Sequence, residues 1–139
     1  IELLDCRQRF EGAAFKLLAA RMLATANAAL LHEALAAPAR QLQSALQTLE
    51  SATRAAWMNG QPDEALANAT PYLQAFGHVV LAWIWLDVAL ASRGDDAASQ
   101  GRRAAMRYFF AYELPKIGAW LAVVASRDAT CREMKEEWF

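Results

Sequence analysis

The sequence predicts an all-α protein, an antiparallel up-down four-helix bundle with long, partly kinked helices and room for a short C-terminal helix. Three observations carry this. Hydrophobic residues make up 56% of the chain while Gly and Pro number only 6 and 4. Its Ala/Leu-rich stretches lack the runs of Val, Ile and Thr that favour strands. Apolar positions also recur at helical spacing along most of the length. A chain of 139 residues suits one core, burying roughly two thirds of the unfolded surface. The expected domain is a bundle over residues 1–126, with 127–139 as a tail.

Leu3, Phe10, Leu17, Ala24 and Leu31 recur every seven residues, with Ala13, Ala14, Ala20, Ala28 and Ala34 beside them. One helix over about 2–36 follows, and Gly12 is its weak point because an interior glycine costs about 1 kcal/mol relative to alanine. Pro38 suits a first helical turn. Leu42, Leu46, Leu49, Ala52 and Ala56 then mark a second helix over about 39–58, stopped by Asn59-Gly60. A third helix starts at Gln61-Pro62-Asp63-Glu64, where two carboxylates complement the positive end of the helix dipole, and runs to Arg93-Gly94.

Inside it Pro71 predicts a kink near Thr70, and Gly77 predicts a close helix contact. Asp95 or Asp96 caps a fourth helix, kinked by Pro115 and ending near Ser126. Cys131, Met134 and Trp138 keep helical spacing in the charged tail. Gly60 and Gly94 lie 34 residues apart, each followed by acidic residues and alanines, the period of tetratricopeptide repeats.

With 14 basic and 15 acidic side chains, no electrostatic footprint for nucleic acid exists. Residues 1–20 lack a secretory signal pattern, and Ile1 in place of Met suggests a processed or excised segment. Cys6 and Cys131, near opposite ends, fit reduced, cytoplasmic usage better than a disulfide. The apolar run Val79–Leu86 is interrupted by Asp87 and shorter than the ~20 residues that span a bilayer, so a helix buried on several sides is expected.

Chemistry-bearing residues are sparse. His32 and His78 lack partners at metal-ligand spacing, and no nucleophilic triad, phosphate loop or zinc signature can be read. Asp87 is the sharpest anomaly, a carboxylate among apolar neighbours. A buried pairing with a charged group or a hydroxyl from the fourth helix, Arg103 or Arg107 foremost, is expected, against the alternative of a general base in a pocket. Trp83, Trp85, Tyr108, Phe109, Tyr112 and Trp120 read as core or interface packing rather than a flavin or acyl pocket. Arg102, Arg103 and Arg107 read as a solvated or ion-paired face rather than a CoA-phosphate site. The residues expected to matter, all structurally, are Tyr72, Gly77, Trp83, Asp87, Arg107, Tyr108, Phe109 and Pro115. No catalytic, cofactor-binding or metal-binding residue is assigned.

Asp63-Glu64-Ala65-Leu66, then Ala69-Thr-Pro-Tyr-Leu73 with Phe76-Gly77, then Trp83, then Arg107-Tyr-Phe109 with Leu114-Pro115 occur in an order that carries a resemblance. From about residue 40 to 124 the chain is similar to the C-terminal accessory domain of acyl-CoA dehydrogenase-like flavoproteins of the 3-methylmercaptopropionyl-CoA dehydrogenase type. Ile1-Glu-Leu-Leu-Asp5 and Arg9 resemble the stretch that follows the family's Tyr-Glu-Gly-Thr motif, which is absent here. On that resemblance residues 1–10 are the tail of an upstream catalytic-domain helix.

The resemblance implies FAD-dependent α,β-dehydrogenation of an acyl-CoA by groups lying upstream. It also implies a homo-oligomer, and a role for this segment in packing and assembly without activity of its own. The other reading is a free-standing helical interaction module resembling tetratricopeptide repeats.

Overall fold

The computed structural model describes residues 12–139. Expectations resting on Leu3, Cys6, Phe10 and the 1–10 junction lie outside the described residues. The chain is all-α, with no strand among the described residues. Its elements are α1 (Ala13–Leu30), α2 (Glu33–Ala56), α3 (Pro62–Leu66), α4 (Ala69–Ala91), α5 (Ala97–Tyr108), α6 (Ile117–Ser126) and α7 (Thr130–Glu133). A π segment, Phe109–Glu113, and a 3₁₀ turn, Leu114–Lys116, join α5 to α6 into one rod, and a second 3₁₀ turn covers Glu136–Trp138.

Gly12 precedes α1 at φ 73, a left-handed conformation that costs glycine nothing. The long first helix expected to reach residue 36 is cut short. Leu31 and His32 form the turn, their amides donating to Ala28 O and Ala29 O, and His32 turns extended. Starting α2 at Glu33 puts a carboxylate at the positive helix end and buries Leu35 in line with Ala39 and Leu42. Pro38 therefore sits inside α2 rather than at its start. The carbonyl it leaves unpaired belongs to exposed Ala34, where water can satisfy it. Downstream, Leu42, Leu46, Leu49, Ala52 and Ala56 are all buried, and Gly60 makes the turn at φ 67.

The expected single third helix is two. The chain breaks at Ala67-Asn68, so Pro71 lies in the first turn of α4, where its missing N–H breaks no helical bond. Nor does Gly77 mark a close contact, since a Cβ there would meet nothing within 4 Å. Asp96 caps α5, accepting from Ser99 N at 3.0 Å and Ser99 Oγ at 2.6 Å. Near Pro115 the helix changes its winding rather than ending: the Leu114 amide donates to Phe109 O, five residues back. The rod ends at Ser126.

Cross-contacts fix the layout. Tyr72 meets Thr53 and His78 meets Trp120, while the Asn27–Gln43 bond closes α1 on α2, so successive rods run in opposite directions. Phe15 meets Phe76, Thr25 meets Trp83 and His32 meets Arg93 at near-constant separations of 58 and 61 residues, so α1 and α4 run side by side in the same direction. The two hairpins, α1–α2 and α4 with the α5–α6 rod, share one core. Met22, Leu42, Leu49, Val79, Leu86, Met106 and Leu121 fill it, and Trp83 and Trp120 both pack against it.

At 23 residues α4 is too long for a tetratricopeptide helix, and it also overturns the length argument against a membrane span. Both α1 and α4 are long and apolar enough to cross a bilayer by length and composition. α4 packs on α1, α2, α5 and α6, burying Ala75, Val79, Ala82, Leu86 and Ala89, while Leu73, Leu81 and Ile84 stay exposed.

The rotational setting of α1 is testable. Ala26 is fully buried and Ala24 exposed. Ala26→Leu should therefore overpack and destabilise by about 1–3 kcal/mol, Leu42→Ala should cost about 3 kcal/mol, and Ala24→Leu should leave a urea unfolding midpoint unchanged.

Candidate functional site

A polar cluster forms beside the break at Ala67-Asn68. Asn68 is buried, and its Nδ2 donates to Asp128 O at 2.9 Å, tying the start of α4 to the segment after α6. Beside it Glu64 of α3 accepts from Asn59 Nδ2 at 2.9 Å and faces Arg132 Nη1 at 3.5 Å and Arg127 Nη1 at 3.9 Å. Arg127 adopts the left-handed backbone that ends α6, φ 54, and its Nη1 is buried without a hydrogen bond. Asn59, Glu64, Arg127 and Arg132, with Ser126 and Asp128, line a cleft of about 220 Å³. The Asn59 amide, with Arg132 and Arg127, holds the Glu64 carboxyl below its usual value against the opposing effect of burial. With two cations facing two carboxylates, the cleft is internally neutralised and anchors the tail.

A second polar group lies where α4 meets the π segment. His78 Nδ1 donates to Gln74 O at 2.9 Å, which points Nε2 at Glu113 Oε2, 3.7 Å away. Lys116 Nζ, 2.6 Å from the same oxygen, is the main reason the Glu113 carboxyl is held low. The imidazole rests edge-on against Trp120 at 4.8 Å and beside buried Phe109 at 5.9 Å. No nucleophile accompanies it, and none of the clefts described here includes it. The arrangement positions a helix junction.

Asp87 is exposed, which removes the reason for a buried ion pair, and the expected partners are engaged elsewhere or exposed. Arg103 donates to Ser92 O and Gly94 O, placing a cation on the negative end of α4. Arg107 is exposed. Tyr72 bonds Thr53 Oγ1 at 3.1 Å and stacks near Phe76. Trp83 Nε1 donates to Thr25 Oγ1 at 2.9 Å. Tyr108 is exposed and stacked on Tyr112 at 4.9 Å, and Pro115 is exposed beside the π segment. The structure therefore scatters these residues over several contacts and assembles no shared site. Cys131 is a free, exposed thiol.

Sequence reading missed the Asn68, Glu64, Arg127 and Arg132 cluster. Its members lie some 60 residues apart, and the one local signal was the pairing of Asp63-Glu64 with a charged tail.

Three further clefts, of about 260, 300 and 280 Å³, are open and largely apolar. One lies between α2 and the rod at Phe110 and Leu114, one under Trp57 and Tyr72, and one beside Phe15. A dinucleotide such as FAD needs a long enclosed groove and donors for its pyrophosphate. None of these four clefts fits it. Among the described residues no group of three or more His, Cys, Asp or Glu comes together as a metal site.

Residues 18–135 match the family model described as acetyl-CoA dehydrogenase C-terminal like. Comparisons with curated proteins and with solved structures return no match.

Because its folded-state pKa is depressed, Glu64 contributes stability above its ordinary value of 4.5 and loses it as pH falls through the lowered one. Proteolysis within residues 127–139 should be flat from neutral pH to about 4.5 and rise below it. Glu64→Gln should be cleaved faster than wild type at neutral pH, and the difference should close as pH falls below about 4.5. Asp87→Asn should leave thermal unfolding unchanged, which a melt at neutral pH will show.

Proposed function

The chain belongs to the acetyl-CoA dehydrogenase C-terminal-like family, and from that premise we propose that it is the C-terminal accessory and assembly domain of an FAD-dependent acyl-CoA dehydrogenase. The observation that carries this is the family match over residues 18–135, which takes in nearly all of the described fold. The motifs that carry the resemblance, from Asp63-Glu64 to Leu114-Pro115, fall inside the matched region and lie on α3, α4 and the rod.

In this reading the reaction, flavin-dependent oxidation of a CH–CH bond of an acyl-CoA, belongs to residues N-terminal to this chain. The 3-methylmercaptopropionyl-CoA type is the proposed subtype, and the setting a cytoplasmic oligomer. None of the four clefts described above suits a flavin, and no step of the chemistry is assigned to the described residues. What it contributes is a rigid, apolar-faced body. Its outer surface carries Leu17, Leu31, Leu73, Leu81 and Ile84, apolar area open to contact with another body.

The test uses the complete reading frame. The full protein should purify with FAD and reduce an artificial electron acceptor on adding acyl-CoA. The 139-residue chain alone should bind no flavin and show no turnover. A frame that encodes this chain without a flavoprotein catalytic region, or turnover by this chain alone, would overturn the proposal.

A further inference from the structure

The guanidiniums of the polar cleft beside α3 are left short of acceptors. Among the described residues Arg127 Nη1 is buried without a hydrogen bond, and a buried donor left unpaired is costly unless a group from outside the chain completes it. Both arginines face Glu64, whose Oε1 lies 3.5 Å from Arg132 Nη1 and whose Oε2 lies 3.9 Å from Arg127 Nη1. These separations exceed the ~2.7–2.9 Å of a guanidinium–carboxylate hydrogen bond. Oε2 is drawn instead to Asn59 Nδ2 at 2.9 Å. Asp128, the other acid lining the cleft, accepts the Thr130 amide on Oδ1 at 3.0 Å and Asn68 Nδ2 on its carbonyl. Arg132 Nη2 faces Glu133 Oε1 from as far as 4.0 Å. The carboxylates thus offset the charge of the guanidiniums and leave their donors open.

We propose that this cleft is a binding site for a phosphate group, free or as a monoester, held between Arg127 and Arg132. The Glu64 carboxylate already stands between the two guanidiniums, one oxygen toward each, and meets neither squarely. A planar group with two oxygens cannot do better from there. A tetrahedral phosphate turns oxygens in several directions and accepts from both forks together. The cleft measures about 220 Å³, several times the ~30 Å³ of one water, so a single bridging solvent molecule does not fill it.

Arg127 stands at φ 54, where glycine is the unstrained residue. What arginine supplies there, and glycine cannot, is a cation at the wall of the cleft. Both guanidiniums belong to the segment after α6, while Asn59 lies at the end of α2 and keeps a second amide hydrogen beyond the one given to Glu64. A bound phosphate therefore bridges the same two parts of the chain that Glu64 bridges when the cleft is empty. Glu64 is an internal competitor, whose charge keeps binding weak and exchangeable and holds the tail when no anion is present. The site is separate from the assembly role and uses none of its apolar surface.

The experiment is a titration of the 139-residue chain with sodium phosphate at neutral pH, ionic strength held constant with sodium chloride, read from the NMR signals of the arginine side chains. Arg127 and Arg132 should shift saturably, and the exposed Arg54 and Arg107 should not. Arg127→Gln should abolish the saturable shift at Arg132. Glu64→Gln, which removes the competitor, should bind phosphate at least about 5-fold more tightly, and phosphate should slow the cleavage of its tail. A gain of this kind cannot come from a variant that fails to fold. Glycerol 3-phosphate separates the two sources: binding as tight as phosphate or tighter assigns the site to a monoester, and weaker binding assigns it to the free ion. Equal shifts at all exposed arginines, saturation that survives Arg127→Gln, or a Glu64→Gln chain that binds no more tightly than wild type would overturn the proposal.

Discussion

Alanine at the helix crossings is the constraint on which the rest of this structure depends. Ala26 and Ala29 on α1, Ala39 and Ala45 on α2, and Ala75, Ala82 and Ala89 on α4 are all buried. Methyl groups at buried positions take little room, which is what lets helices pack closely. The larger side chains, Met22, Leu42, Leu49, Leu86, Met106 and Leu121, are fully buried in the same core. Close packing leaves little slack, so a larger residue at a crossing must push two helices apart. The same economy limits how much apolar surface each helix can bury, and for that reason α1 and α4 keep leucines outside.

How much of this was legible in the sequence depends on how polar each helix is. α2 carries Arg40, Gln41, Gln43, Gln47 and Thr48 between its leucines, so its period singles out one face, and that face is the buried one. α1 and α4 are apolar on more than one side, and periodicity alone could not choose between faces. The heptad in α1 was a true pattern pointing outward, and Asp87 interrupts a run whose outer side meets solvent. Helix ends marked by Gly60 and Asp96 were readable because those residues supply a specific conformation or acceptor. The ends at Leu31-His32 and Ala67-Asn68 have no such local cause. They are placed by what is buried next to them, Leu35 in the first case and Asn68 in the second.

The chemistry of the chain divides in the same way. The packing motifs that carry the family resemblance can be read directly from the residue order, and the family match extends over the same region. The Glu64 cluster could not be read, since its carboxylate and guanidiniums stand some 60 residues apart in the sequence. It gives α3, which is only 5 residues long and too short to be stable alone, a firm place in the structure. A domain with this inventory, one core, neutralised polar clusters and apolar outer faces, is equipped to hold other bodies in place.

The winding of the α5–α6 rod has a consequence for how Pro115 is carried. A π segment is under-wound relative to an α-helix and a 3₁₀ turn is over-wound. Phe109–Glu113 and Leu114–Lys116 therefore rotate the helical face in opposite directions and largely cancel. Met106, Phe110, Leu114, Ile117, Leu121 and Val124 consequently stay on one side of the rod across the proline. The rod gives up regular hydrogen bonding at its middle and keeps one buried face, so a single continuous contact surface survives a residue that would otherwise have divided it.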